Sequence, residues 1–96
     1  MTIQLRTYTI NRGDLDTWVA EWQEKIKPLR VKFGFDILGA WTIPETSQFV
    51  WILSYKGPDT WETADKAFHA SEDRKAMDPD PARNIARIEH FFLIPV

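Results

Sequence analysis

Apolar and polar residues alternate from Thr2 to Ile10. Ile3 and Leu5 are interleaved with Gln4 and Arg6, and the period of two runs on through Thr7, Tyr8 and Thr9 to the Asn11-Arg12-Gly13 turn. This pattern predicts a first strand. Beyond Gly13 the apolar positions become Leu15, Trp18, Val19, Trp22, Ile26, Leu29 and Phe33, spaced by three and four, which is one apolar stripe along a helix. Asp14 and Asp16 in its first turn, and Lys25, Lys27, Arg30 and Lys32 in its second half, match the two ends of the helix dipole. Gly34 supplies a stop. Pro28 lies within the span without an amide hydrogen to donate, which predicts a bend in one helix.

Phe35–Ile43 and Gln48–Tyr55 are apolar, β-branched and aromatic runs separated by Pro44-Glu45-Thr46-Ser47, the mark of two antiparallel strands and a short loop. In the second run Phe49, Trp51, Leu53 and Tyr55 share one face while Val50, Ile52 and Ser54 take the other, so both faces of the sheet need cover. Gly57-Pro58-Asp59 starts a second helix, with Asp59 and Glu62 in capping-box spacing and an apolar face of Trp61, Ala64 and Phe68. Ser71 caps a further short helix through residue 77, and Asp78-Pro79-Asp80-Pro81 breaks it before a last turn toward Ala86. Asp78 and Asp80 read as cap and turn residues in that acidic, proline-rich stretch. Residues 87–96 form a closing apolar strand ending at Pro95.

The order strand, helix, strand, strand, helix, strand predicts an α+β domain. Two right-handed crossovers fold it into a four-stranded antiparallel sheet with both helices on one face. The other face is satisfied if two such sheets close face to face into a dimeric α/β barrel, or if another domain covers it. Composition strengthens that expectation. The chain has 96 residues, enough for one domain spanning 1–96, yet carries five tryptophans, more aromatic surface than one small core absorbs. An interface or a pocket should use the surplus, so the partner expected first is a second copy, with higher oligomers possible.

Charge and chemistry narrow the function mainly by exclusion. A net charge of −2 with dispersed basic residues disfavours nucleic acid. The absence of cysteine removes disulfides, thiolate metal sites and cysteine nucleophiles. No run approaches the length of a membrane span and no leader pattern stands at the start, so a cytoplasmic protein without membrane contact is the expectation. There is no Gly-rich phosphate loop and no G-x-S-x-G elbow, which leaves phosphoryl and acyl transfer unsupported. His69 and His90 lie far apart in sequence with no metal-ligand spacing, so neither a metal nor a cofactor is expected.

Arg6 and Tyr8 share one strand face, where a guanidinium beside a phenol can hold a carboxylate or enolate oxygen. The alternative pairs Arg6 with Glu89 on a neighbouring strand and leaves Tyr8 to packing. His69, next to Phe68 near the end of the second helix, is the best general-base candidate. Arg74 either closes over a pocket as an anion clamp or neutralises Glu72, Asp73 and Asp78. Trp41, Trp51 and Trp61 take core-like positions, and Trp41 and Trp51, with Phe68 and Arg74, are candidate ligand contacts.

Several segments together resemble the NIPSNAP family. They are Leu5-Arg6-Thr7-Tyr8 before a Gly-led helix, Gly39-Ala40-Trp41, Phe49-Val50-Trp51, and the stretch from Ala70-Ser71 through Arg74-Lys75 to Asp78-Pro79-Asp80-Pro81. The resemblance implies a ferredoxin-like protomer, a dimeric α/β barrel and a pocket between sheet and helices. It implies no single reaction, since that superfamily includes haem-degrading and cofactor-independent monooxygenases. The haem-degrading set of asparagine, tryptophan and histidine is matched here by Arg6, Ala64 and Asp78, none of which suits that chemistry. Three readings follow: first, a small, partly apolar molecule bound or transformed in the pocket; second, a non-enzymatic dimeric scaffold or protein-interaction module; and last, a cofactor-independent monooxygenase. A cavity of about 300 Å³ or more would favour the first.

Overall fold

β1 (Thr2–Ile10) forms where the alternation begins, and β2 (Phe35–Ile43), β3 (Gln48–Tyr55) and β4 (Ile85–Leu93) complete the strands. Four helices join them: α1 (Leu15–Glu21), α2 (Lys27–Lys32), α3 (Trp61–Ala70) and α4 (Glu72–Lys75). The structure is a computed structural model and describes all of Met1–Val96. The strands pair in the order β2-β3-β1-β4, every neighbour antiparallel, with the helices on one face. This is the expected ferredoxin-like α+β protomer.

Between α1 and α2 the helical path widens into a π turn, Trp22–Ile26, in which the Lys27 N–H donates to the Trp22 carbonyl five residues back. Pro28 follows directly. With no N–H it cannot serve the carbonyl of Glu24, and the wide turn absorbs that loss where a simple bend was expected. Gly34, at φ +93°, ends the helix as predicted. α3 is capped by Thr60, whose Oγ1 accepts from the Thr63 N–H at 3.2 Å, so the Asp59 capping box does not form. Ser71 caps α4 as expected, accepting from the Arg74 N–H. α4 stops at Lys75, and β4 begins and ends earlier than the predicted 87–96.

Which face of the sheet the helices cover is less obvious. On β1 the buried side is Gln4, Arg6, Tyr8 and Ile10, while Ile3 and Leu5 point to the outer side and stay half-exposed. β3 contributes Phe49, Trp51, Leu53 and Tyr55 to the covered face, and with Trp18, Trp22 and Phe68 these make an edge-to-face aromatic core. The outer side keeps Phe91 and Leu93 exposed.

Trp41 also lies outside, 54% exposed, and corrects its core-like assignment. The cause is a bulge between Ile37 and Gly39 that leaves Leu38 without a partner. One extra residue reverses the alternation, so Trp41 pairs with Val50 on the outer side instead of following Phe35 and Ile37 inward. Its indole folds over Gly39, where any side chain would collide with the ring.

Candidate functional site

Three successive inward positions of β1 carry a linked polar row. Arg6 Nε donates to Gln4 Oε1 at 2.6 Å, and Arg6 Nη1 donates to the Tyr8 hydroxyl at 3.0 Å. Register places Trp51 beside Arg6 on β3 and His90 beside it on β4. Above this row α3 presents Asp65, Phe68 and His69, and α2 delivers Arg30. Asp65 Oδ1 is the hub. It accepts from Arg30 Nη1 at 2.7 Å and from Arg6 Nη2 at 3.4 Å, and it lies 3.6 Å from His69 Nε2. The Arg30 guanidinium is 1% exposed and stacks 3.9 Å from the centroid of Phe68.

These groups surround a cavity of about 210 Å³ between sheet and helices. Its lining brings together Arg6, Tyr8, Trp51, Phe68, His69 and Arg74, all proposed from sequence, and leaves out Trp41. The volume falls short of the roughly 300 Å³ set as favourable, so any occupant is small. His69 is 53% exposed at its side chain and forms the rim. Arg74 does not serve Glu72, Asp73 or Asp78; it pairs with Asp80 at 3.0 Å, which also caps the Pro81–Asn84 turn by accepting from the Ala82 N–H. The Arg6–Glu89 pair does not exist either. Glu89 opposes Thr7 and faces outward, where Arg87 meets it at 3.3 Å. Of the positions matched to the haem-degrading set, only Arg6 lines the cavity.

Sequence reasoning missed Arg30, Asp65, Gln4 and Trp18 as site residues. A signal was present for the ion pair. Arg30 stands four residues after Ile26 and Asp65 four after Trp61, so each charge occupies an apolar slot of its helix, and the two charges are opposite. The π turn contributes as well: it advances less per residue than an α turn, which rotates Arg30 back toward the face of Trp22.

Burial pushes the Arg30 guanidinium below its ordinary pKa, and repulsion from Arg6 adds to this against the opposing Asp65 contact. It remains a cation at neutral pH. Desolvation raises the Asp65 carboxyl, but the hydrogen bond and charge of Arg30, with the charge of Arg6, more than reverse that and hold it below the usual carboxylate value. Desolvation lowers His69; Asp65 opposes this, while Arg30, Arg6 and Arg74 reinforce it, leaving a neutral imidazole at pH 7. A neutral imidazole on the rim can accept a proton, and the guanidiniums beneath it can steady an oxyanion. No three His, Asp or Glu side chains assemble as a metal site.

The NIPSNAP family profile matches residues 3–96. The chain belongs to the NIPSNAP family. Among solved structures, an uncharacterised NIPSNAP domain protein from Burkholderia xenovorans is 19% identical, with a TM-score of 0.86 over 100% of this chain and 95% of that one. A NIPSNAP family protein from Agrobacterium tumefaciens is 16% identical, with a TM-score of 0.87 over 99% and 92%. An antibiotic biosynthesis monooxygenase shares the fold at 15% identity and a TM-score of 0.71 over 100% and 99%. Identities this low establish the fold alone. No curated protein is significantly similar. No helix of this NIPSNAP protein is long and apolar enough to cross a membrane.

Proposed function

We propose that this NIPSNAP protein binds a small, partly apolar molecule inside the protomer, between the sheet and the helices, and that His69 can exchange a proton with it. The observation that carries the reading is the make-up of the cavity's lining, since the volume alone is below the size expected to favour a ligand. It joins the aromatic walls of Tyr8, Trp18, Trp51 and Phe68 to the buried guanidiniums of Arg6 and Arg30. A core built only for stability would do better with apolar groups in place of that buried ion cluster. The fold shared with a monooxygenase is compatible with chemistry at this place but names no substrate.

A thermal-shift screen of aromatic acids, quinones, haem, neutral ring compounds and inorganic anions tests the proposal. A true ligand at a hundredfold its Kd stabilises by about 2.7 kcal/mol, and Arg6→Ala or His69→Ala should reduce that gain. A wild-type protein indifferent to every compound would refute it.

A second observation favours a homodimer as the form that does this. Trp41, Phe91 and Leu93 share the uncovered side of the sheet, 54%, 56% and 36% exposed. Fully burying an exposed large apolar side chain is worth about 1.5–3 kcal/mol; these three are already partly covered and have a fraction of that left to gain, for which a matching face from a second copy is the simplest cover.

A further inference from the structure

Donors outnumber acceptors among the polar groups that line the cavity, where only Asp65 and the imidazoles of His69 and His90 stand against three guanidiniums and two indoles. Arg6 and Arg30 offer guanidinium N–H groups, and Trp18 and Trp51 offer indole N–H groups. The Tyr8 hydroxyl already accepts from Arg6, which leaves its own proton to give. The lining has one carboxylate, Asp65, and two guanidiniums and an imidazole already crowd its Oδ1.

Arg30 Nε, Trp18 Nε1, Trp22 Nε1 and Trp51 Nε1 are buried without an acceptor, on side chains at least nine-tenths buried, and all but Trp22 belong to residues of the cavity lining. Native interiors rarely leave such groups unpaired, because each costs a full desolvation penalty. Charge points the same way. Arg74 is matched by Asp80, but Arg6 and Arg30 share only Asp65, which leaves one buried positive charge without a counter-ion.

From this juxtaposition, and resting on the small-molecule reading above, we infer that the ligand is a small monocarboxylate with a single-ring apolar body. Its carboxylate accepts from Arg6 and Tyr8, and its ring lies among Trp18, Trp51 and Phe68. The excess of one positive charge selects the ligand's charge. A phosphate ester would bring about −1.5 to −2, more than the site can neutralise. Neither a Gly-rich loop nor a helix N-terminus lines the cavity to supply the further backbone donors that phosphate sites use.

The size limit is consistent. About 210 Å³ is small beside the roughly 300–1,000 Å³ of drug-sized pockets, which suits one ring and a carboxylate. Access runs between α3 and β4. There the helices leave the inward side of β4 uncovered, and His90 and Phe92 join Trp61, Glu62, Lys66 and His69 around an open groove that reaches Arg6.

Titration calorimetry and thermal shift with benzoate, its neutral isostere benzamide, acetate and phenylphosphonate test the class. Benzoate should bind at least tenfold more tightly than each of the others. Arg6→Gln should weaken benzoate at least tenfold. Tyr8→Phe, which keeps the ring and removes only the hydroxyl, should weaken it severalfold and covers the case in which Arg6→Gln fails to fold. Asp65→Asn removes the competing anion and should leave benzoate binding equal or tighter.

If benzamide matches benzoate, the pocket stands and the carboxylate assignment falls. Acetate matching benzoate removes the ring from the assignment. Benzoate binding unchanged in Arg6→Gln and Tyr8→Phe places it elsewhere and overturns the site. Silence from benzoate alone, with a neutral ring compound active in the wider screen, overturns this inference and spares the small-molecule reading; silence from all compounds ends both.

Discussion

The two sides of β1 carry opposite chemistry in the opposite places from those a simple polarity rule would choose. Its inward positions are Gln4, Arg6 and Tyr8, buried beneath the helices, and its outward positions include Ile3 and Leu5, only half-covered. The inward row is tolerated because each member has a partner: Arg6 bonds Gln4, Tyr8 and Asp65, and Asp65 in turn bonds Arg30. The outward row runs from Ile3 and Leu5 to Thr7 and Thr9, and no helix lies over that side. One side of the sheet therefore holds a bonded polar cluster, and the other presents half-exposed apolar side chains.

The largest expected effect breaks that contrast from the outside. Phe91 is 56% exposed in the protomer, so Phe91→Asp removes little packing within the chain but sets a charge in the middle of the apolar face. Light scattering after size exclusion should give a dimer for the wild type and a monomer for the variant. A wild type that is monomeric at the concentrations used, or a variant that stays dimeric, would show that the outer face is not the interface.

The next effect comes from the inner side. Arg30 is 1% exposed, donates to Asp65 at 2.7 Å and stacks on Phe68. Breaking a buried pair costs about 3–5 kcal/mol. Asp65 keeps some solvent and its longer contact to Arg6, which places Arg30→Ala at the low end, about 3 kcal/mol by urea unfolding. Arg30→Met, which keeps an apolar stem against Phe68 and Trp51, should recover part of that loss. A cost under about 1 kcal/mol for Arg30→Ala, the value of an exposed pair, would mean that the cluster contributes little to folding.

The same contrast explains what could be read from the sequence. The order of elements was legible because period and punctuation agree: alternation before Asn11, a three-four spacing up to Gly34, and proline and glycine around each turn. Period showed which of Arg6, Tyr8, Trp51, Phe68 and His69 share a face, and the family resemblance, which implies a pocket between sheet and helices, showed which face to choose; all five line the cavity. Trp41 was not legible in this way, since one bulged residue at Leu38 reverses a strand's faces, and its single mark in the sequence, Gly39, does not fix where the extra residue falls. Arg30 was read as a dipole-matching charge because its helix carries Lys25, Lys27 and Lys32 nearby. Only the pairing of α2 with α3 in space distinguishes it from those solvated neighbours. Arg74 found Asp80 and not a closer acid in sequence for the same reason: the chain turns back on itself at Pro79 and Pro81.

The smallest effect is a slope with pH, and its sign follows from two depressed values. His69 titrates in the folded protein below the ordinary 6.5, because burial and the guanidiniums of Arg6, Arg30 and Arg74 outweigh the attraction of Asp65. The unfolded chain therefore takes up this proton first as pH falls, and stability declines from about 6.5 downward. Asp65, held below its ordinary 3.8, keeps its contribution above that pH and loses it as pH drops through the lowered folded value. Urea midpoints measured from pH 8 to pH 3 should show both steps in the wild type. His69→Gln should lack the upper step and retain the lower one. An identical slope in the variant between pH 7 and pH 5 would assign the upper step to another group. The proposed ligand would tie binding to the same proton: a carboxylate bound at Arg6 would add negative charge near His69 and raise its pKa, so binding should take up protons and tighten as pH falls through that raised value.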